Sequence, residues 1–202
     1  MKIEQISTLA ELHQTMRQCT LCLDAGYEVY PPAVVSGVMG AKIMTIGQAP
    51  GITEVEAKRP FNAGSGKRLF NWLAEAGIEE DWFRATQYMT AVTKCYPGRQ
   101  PSGSGDRVPT RAEQEFCRPY LAREIELVDP QIIIPIGRLA ISLYFPRKLK
   151  LTEIIGTQKQ IEGRWIIPLP HSSGASRWHQ TESNRELIRQ AIALIKGHVT
   201  SN

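Results

Sequence analysis

No stretch of the 202-residue chain approaches the run of about 18 apolar residues that a membrane span needs. The opening segment, MKIEQISTLAELHQ, is polar and amphipathic where a signal peptide would be continuously apolar, so a cytoplasmic protein with no membrane partner is expected. Charge of one sign is in short supply: 24 Lys and Arg against 20 Asp and Glu leave +4, an excess that permits a polyanionic partner without demanding one. Cysteine is scarce as well. Of the four present only Cys19 and Cys22 form a close pair, so the two close pairs usual in a structural zinc site are missing. The chain has no GxxxxGK[ST] phosphate loop, because Gly64-Ser65-Gly66-Lys67 continues into Arg68, and nucleotide hydrolysis by that device is excluded. Internal repeats are absent. What remains is ordinary globular composition, 42% apolar and 22% charged, which rules out disorder of the whole. At about 150 residues per domain, the length fits a single domain over residues 1–202, expected to be a monomer.

Four short, continuous, largely β-branched or aromatic runs predict strands at Ala41–Ile46, Tyr88–Thr93, Gln131–Ile136 and Trp165–Leu169, the pattern of strands covered on both faces. Stretches of helical period lie between and after them, at Lys67–Ala76, Arg111–Val128, Arg138–Tyr144 and Asn184–Lys196. The alternation predicts an α/β sandwich with right-handed crossovers. Pro97–Pro109 (PGRQPSGSGDRVP) has no periodicity and reads as a mobile surface loop inside the domain. Each predicted strand is followed by a loop rich in chemistry: Gly47-Gln48-Ala49-Pro50-Gly51, Lys94-Cys95-Tyr96-Pro97, Gly137-Arg138 and Pro170-His171-Ser172-Ser173-Gly174. In a parallel sheet ligands bind outside the carboxyl ends of the strands, so the four loops are expected to converge on one crevice.

Cys95 and Cys117 join the Cys19/Cys22 pair at long intervals. Two readings fit this spacing: core thiols with a chance C-x2-C, or a metal site, which the single close pair tilts toward an iron–sulfur cluster. The order C-x2-C, GQAPG, RPFNAGSGK, TAVTKCYPG, CRPYLAREIELVDPQIIIPIG, PLPHSSGAS resembles the uracil-DNA glycosylase superfamily, most closely its iron–sulfur branch, family 4, from about Cys19 to Ser176. The resemblance implies a three-layer αβα sandwich with a central four-stranded parallel sheet. It also implies a structural 4Fe–4S cluster on Cys19, Cys22, Cys95 and Cys117, and a DNA partner containing a deaminated base. By the same resemblance His171 donates to O2 of the departing base, Phe61 is the stacking platform, and Gly47, Ala49, Pro50 and Gly51 let the backbone approach the base and the attacking water. Glu54 matches an acidic position suited to orienting or activating that water. Lys67, Arg68, Ser173 and Arg177 are candidates for the DNA backbone, and Arg99, Arg107 and Arg111 for further phosphate contacts.

The sequence departs from the family pattern at four points. Gln48 stands where the family usually has a carboxylate; its amide can hold a water but cannot accept a proton. Ala91 replaces the asparagine that would pair with the uracil edge, which weakens discrimination and leaves Asn62 as a substitute amide. His171 is followed by Ser172 in place of proline, and Ala175 stands where some members insert a leucine wedge, leaving Arg177 or Trp178 to fill the gap of an everted base. No histidine occurs between Cys95 and Cys117, so the covalent trapping of a related branch is not expected. The expected activity is excision of uracil or a related deaminated base. The alternative is a damaged-base binding module that has kept fold and cluster without efficient catalysis.

Overall fold

The computed structural model describes residues 2–103, 105–174 and 176–200. Strands β1 (Ile43–Gly47), β2 (Tyr88–Ala91), β3 (Ile132–Pro135), β4 (Lys159–Ile161) and β5 (Arg164–Ile166) form one sheet in the order β2-β1-β3-β5-β4. The first four in that order are parallel, and β4 is antiparallel to β5. The sheet thus has five strands where the sequence predicted four. The extra strand is three residues long, lies at the edge and carries Lys159 and Gln160, so it offers no apolar run to detect. It reaches β5 through Glu162 and Gly163, both at positive φ (50° and 80°), the backbone that a two-residue hairpin turn demands.

Eight α-helices are described: α1 (Leu9–Arg17), α2 (Leu21–Asp24), α3 (Ile52–Ala57), α4 (Gly64–Glu75), α5 (Glu80–Thr86), α6 (Arg111–Val128), α7 (Gly137–Ile141) and α8 (Glu182–Thr200). The strands alternate sides. Ile43, Ile132 and Ile134 pack with Leu69, Phe70 and Leu73 of α4, Phe83 of α5 and Ile188, Ile192 and Ile195 of α8. Met44, Ile46 and Ile133 pack on the other face with Leu12 and Met16 of α1 and Tyr120, Leu121 and Val128 of α6. Burial on both faces explains why the strands read as continuous apolar runs and why the architecture has three layers. Helix α6 begins where expected because Thr110 and Glu113 cap it reciprocally: Thr110 Oγ1 accepts from the Glu113 N–H at 3.3 Å, and Glu113 Oε2 accepts from the Thr110 N–H at 2.7 Å. Among the described residues no helix is long and apolar enough to cross a membrane.

Candidate active site

The carboxyl ends of the parallel strands open on a cavity of about 670 Å³, within the ~300–1,000 Å³ usual for small-molecule sites. Gly47 to Glu54 line it from the loop after β1, Thr90 and Ala91 from the end of β2, Ile136 from the end of β3, and His171 to Gly174 from the loop after β5. Gln48, Phe61 and His171 therefore face one space, as do Ala49, Pro50, Gly51 and Ser173. Asn62 does not line it; its amide donates to the Thr53 carbonyl at 3.4 Å.

Phe61 is placed by force. Its φ is +51°, a left-handed conformation unfavourable for a residue with a Cβ. Three hydrogen bonds hold it there: Arg84 donates from Nη2 to the Phe61 carbonyl at 2.7 Å and from Nη1 to the Pro60 carbonyl at 2.9 Å, and the Glu54 carboxylate accepts from the Phe61 N–H. Gly66 lets α4 press against this turn, since a Cβ there would fall 1.7 Å from the Phe61 carbonyl oxygen. The ring ends against β1, where a Cβ on Gly47 would stand 3.2 Å from Phe61 Cζ. Backbone strain held by several independent contacts marks a functional position.

Glu54 also accepts from the Gly51 N–H, at 2.6 Å through Oε2. Both of its oxygens thus tie the GQAPG turn to the Phe61 turn. Burial pushes its carboxyl above the usual range, against the pull of these two hydrogen bonds.

His171 sits over Gly137, whose φ of +82° and missing side chain make room for the ring; a Cβ there would lie 2.9 Å from His171 Cδ2. The Ser173 N–H donates to His171 Nδ1 at 3.1 Å. Burial lowers the imidazole below its ordinary value. A neutral ring that accepts at Nδ1 carries its proton on Nε2, so His171 is set up as a neutral donor. Arg68 supports the same loop, donating to the Ser172 carbonyl at 2.6 Å.

A buried polar chain underlies the β2 end of the cavity. Lys94 Nζ donates to Glu124 at 2.6 Å, to Thr90 Oγ1 at 2.8 Å and to the Ala91 carbonyl at 2.6 Å. Tyr88 donates to Glu124 at 3.0 Å and contacts His13 Nε2 at 2.7 Å. Because the Tyr88 proton goes to the carboxylate, His13 is the donor in that pair. The chain ties β2 to α6 and α1 and fixes the backbone at Ala91.

Within the loop expected over residues 97–109, the described residues pair with one another beside the cavity. Arg99 and Asp106 form an antiparallel bridge, the Arg107 N–H donates to the Gly98 carbonyl at 2.9 Å, and the Gln100 N–H donates to the Gly105 carbonyl at 3.0 Å. Arg107 is not free for phosphate: its guanidinium bonds both oxygens of Glu113, at 2.8 and 2.6 Å, and the Glu28 carbonyl at 2.8 Å. The loop brings Asp106 into the cavity wall, a residue that sequence reasoning missed. It is the lone acidic residue between Pro97 and Pro109, but an aperiodic segment gives no local sign of which way that residue faces.

The expected DNA contacts divide. Lys67, Arg99, Arg111 and Arg177 are exposed, whereas Arg68 is committed to Ser172. Trp178 packs against the core, and Ala175 lies outside the described residues.

Cys19 precedes α2, Cys22 lies within it, Cys95 follows β2 and Cys117 lies in α6, and all four are free thiols. Burial, and then the neighbouring sulfurs, push Cys22 up to about 11 and Cys95 up to about 12. Cys22, Cys95 and Cys117 each feel neighbouring sulfurs, and thiols that close together suit a cationic centre ligated by thiolates. Among the described residues, no three Cys, His or carboxylate groups converge as the ligands of one metal ion do.

A family model described as the uracil DNA glycosylase superfamily matches residues 35–196. A type-4 uracil-DNA glycosylase of Thermotoga maritima is 29% identical over 188 residues, 91% of this chain and 92% of that protein. That of Pyrobaculum aerophilum is 34% identical over 133 residues, 65% of this chain and 62% of the relative. That of Archaeoglobus fulgidus is 33% identical over 141 residues, 69% and 65% respectively. The matched stretch is thus under two thirds of the length of the last two.

Proposed function

Since the chain belongs to the uracil DNA glycosylase superfamily, we propose that it is a DNA glycosylase that hydrolyses the N-glycosidic bond of uracil or a related deaminated base and leaves an abasic site. The observation that carries this reading is the pairing, across one cavity, of a strained aromatic platform, Phe61, with a neutral Nε2–H donor, His171.

The reacting carbon is unreachable inside a stacked duplex, so the nucleotide must be everted into the cavity. The base then lies against Phe61, where stacking contributes about 1–3 kcal/mol. As the bond from C1′ to the base nitrogen breaks, the electron pair stays with the base and charge builds on O2. His171 meets that charge with a preorganised donor, a role typically worth ~3–4 kcal/mol when water is excluded. Burial keeps the ring neutral before reaction, which favours donation over proton loss to solvent. Gln48 holds the water by hydrogen bonds, and Glu54 positions Phe61 by clamping two backbone N–H groups. Ala91 presents a methyl group where an amide would read the base edge, so discrimination against hypoxanthine and xanthine is weaker than a paired edge would give. Exposed Lys67 and Arg177, with Ser173 at the rim, contact phosphates, and Arg68 acts through the His171 loop.

Cys19, Cys22, Cys95 and Cys117 would hold a 4Fe–4S cluster. Bound there, it would cross-link the N-terminal segment, the β2 loop and α6, a structural task outside the reaction.

The test is incubation of the purified protein with labelled single- and double-stranded DNA carrying uracil, hypoxanthine or xanthine, followed by alkaline cleavage of abasic sites. Cleavage that disappears in His171→Ala supports the glycosylase. Tight, salt-sensitive binding to the damaged strand without cleavage identifies the binding module instead.

A further inference from the structure

Hydrolysis of the glycosidic bond needs a proton acceptor as well as a donor. The water oxygen bonds to C1′ while the bond to the base breaks, the electron pair leaves with the base, and one proton of the water must be taken away. Gln48 cannot take it, because a neutral amide is not a base at working pH. Glu54 is badly placed to take it. Each of its oxygens already receives a backbone N–H, from Gly51 and from Phe61, and a proton added to either would oppose a donor and loosen the Phe61 turn.

One further carboxylate faces the same space. Asp106 lines the cavity together with Gln48, Glu54 and His171. Its Oδ1 accepts from the Tyr96 hydroxyl at 3.0 Å, which fixes the side chain. Its Oδ2 lies 3.4 Å from the point where a Cβ on Gly51 would be, beside the GQAPG turn. Among the described residues nothing donates a hydrogen bond to Oδ2. The charge of Asp106 also bears on both Glu54 and His171. The loop that carries it is anchored by the Arg99–Asp106 bridge and by Arg107 on Glu113.

We propose that Asp106, delivered over the cavity by the 97–109 loop, is the carboxylate that accepts the proton of the attacking water, in place of the one that Gln48 does not supply. The inference rests on the glycosylase reading. Asp106 and His171 then divide the chemistry: Oδ2 takes the proton of the water while Nε2–H holds the departing base. The proton on Asp106 passes to solvent after the product leaves, since the side chain is exposed at the cavity mouth.

The experiment measures single-turnover uracil release from a single-stranded oligonucleotide by the iron-loaded wild-type protein, Asp106→Asn, and Asp106→Asn combined with Gln48→Glu. Affinity for the same oligonucleotide carrying non-hydrolysable 2′-fluorodeoxyuridine, iron content and melting temperature are measured in parallel. Asp106→Asn keeps an acceptor for Tyr96 and loses the base. Its rate is expected to fall by about 10²–10⁴-fold, the usual range for a lost general base, with affinity, iron and melting unchanged. Restoring a carboxylate through Gln48→Glu is expected to recover at least about ten-fold of that loss. A rate within about three-fold of wild type, a loss matched by lost DNA affinity, or no recovery in the double variant overturns the proposal. Wild-type protein that releases no uracil overturns the glycosylase reading itself, and the wild-type arm alone reports that failure.

Discussion

Replacing Arg84 by alanine removes the fork that holds the Phe61 turn. Two charge-assisted hydrogen bonds are lost, to the Pro60 carbonyl (2.9 Å) and the Phe61 carbonyl (2.7 Å), together with the 2.7 Å ion pair to Glu80 and the stacking of the guanidinium on Phe70 at 4.5 Å. Each bond from a charged donor to a part-buried carbonyl contributes about 1.5–3 kcal/mol, so the two give roughly 3–6 kcal/mol. Part returns if Phe61 leaves its left-handed conformation, which relieves about 1–2 kcal/mol. The net expectation is a loss of about 1–5 kcal/mol of folding stability. The ring moves with its backbone, so up to the full stacking contribution of about 1–3 kcal/mol disappears from base binding, a slowing of roughly 5- to 150-fold. Arg84→Lys keeps the charge without the planar fork and is expected to recover only part of either loss. Urea unfolding and uracil-release kinetics on the two variants and wild type read both effects. Stability within about 0.5 kcal/mol of wild type, with an unchanged rate, would refute the claim that Arg84 imposes the conformation of Phe61.

Gly137→Ala places a Cβ 2.9 Å from His171 Cδ2 at a φ of +82°. Uracil release is expected to fall by about ten- to hundred-fold through displacement of the ring, and a wild-type rate would contradict the proposed seat of His171. Burial lowers His13 from 6.5 to about 4. The unfolded chain therefore takes up this proton before the native one does, and stability contributed by His13 is complete above pH 6.5 and is lost as pH falls toward 4. In urea titrations His13→Gln should flatten this acid limb by on the order of 2 kcal/mol between pH 7 and pH 4, and parallel curves would contradict it. Metal analysis of protein purified without oxygen should give iron and acid-labile sulfide that Cys95→Ser loses; one zinc per chain and no sulfide would overturn the cluster.

The helices and buried strands were legible where the physics is local. Arg111–Val128 carries its own start signal in Thr110 and Glu113, and each buried strand announces itself as an apolar run. The β4 edge strand was not legible, because three half-exposed residues with Lys159 and Gln160 leave no apolar trace. At the site, residues following a strand in sequence were found from the strand-end rule, which is why Gln48 and His171 were nameable before any coordinates. The rest depends on long-range contacts. Nothing local to Glu54 says that it binds the Phe61 N–H seven residues on, or that Arg68 reaches across 104 positions to Ser172. Asp106 was hidden for the same reason: an aperiodic Gly/Ser/Pro segment specifies no direction, and only the Tyr96 and Arg107 contacts turn it inward.

The central claim is that an everted base lies on Phe61 with O2 on His171. A crystal structure with an oligonucleotide carrying 2′-fluorodeoxyuridine tests it directly. The account predicts uracil inside the cavity, its ring on Phe61 and its O2 about 2.7–3.2 Å from His171 Nε2. A base left stacked in the strand, or bound with Phe61 and His171 untouched, would contradict it.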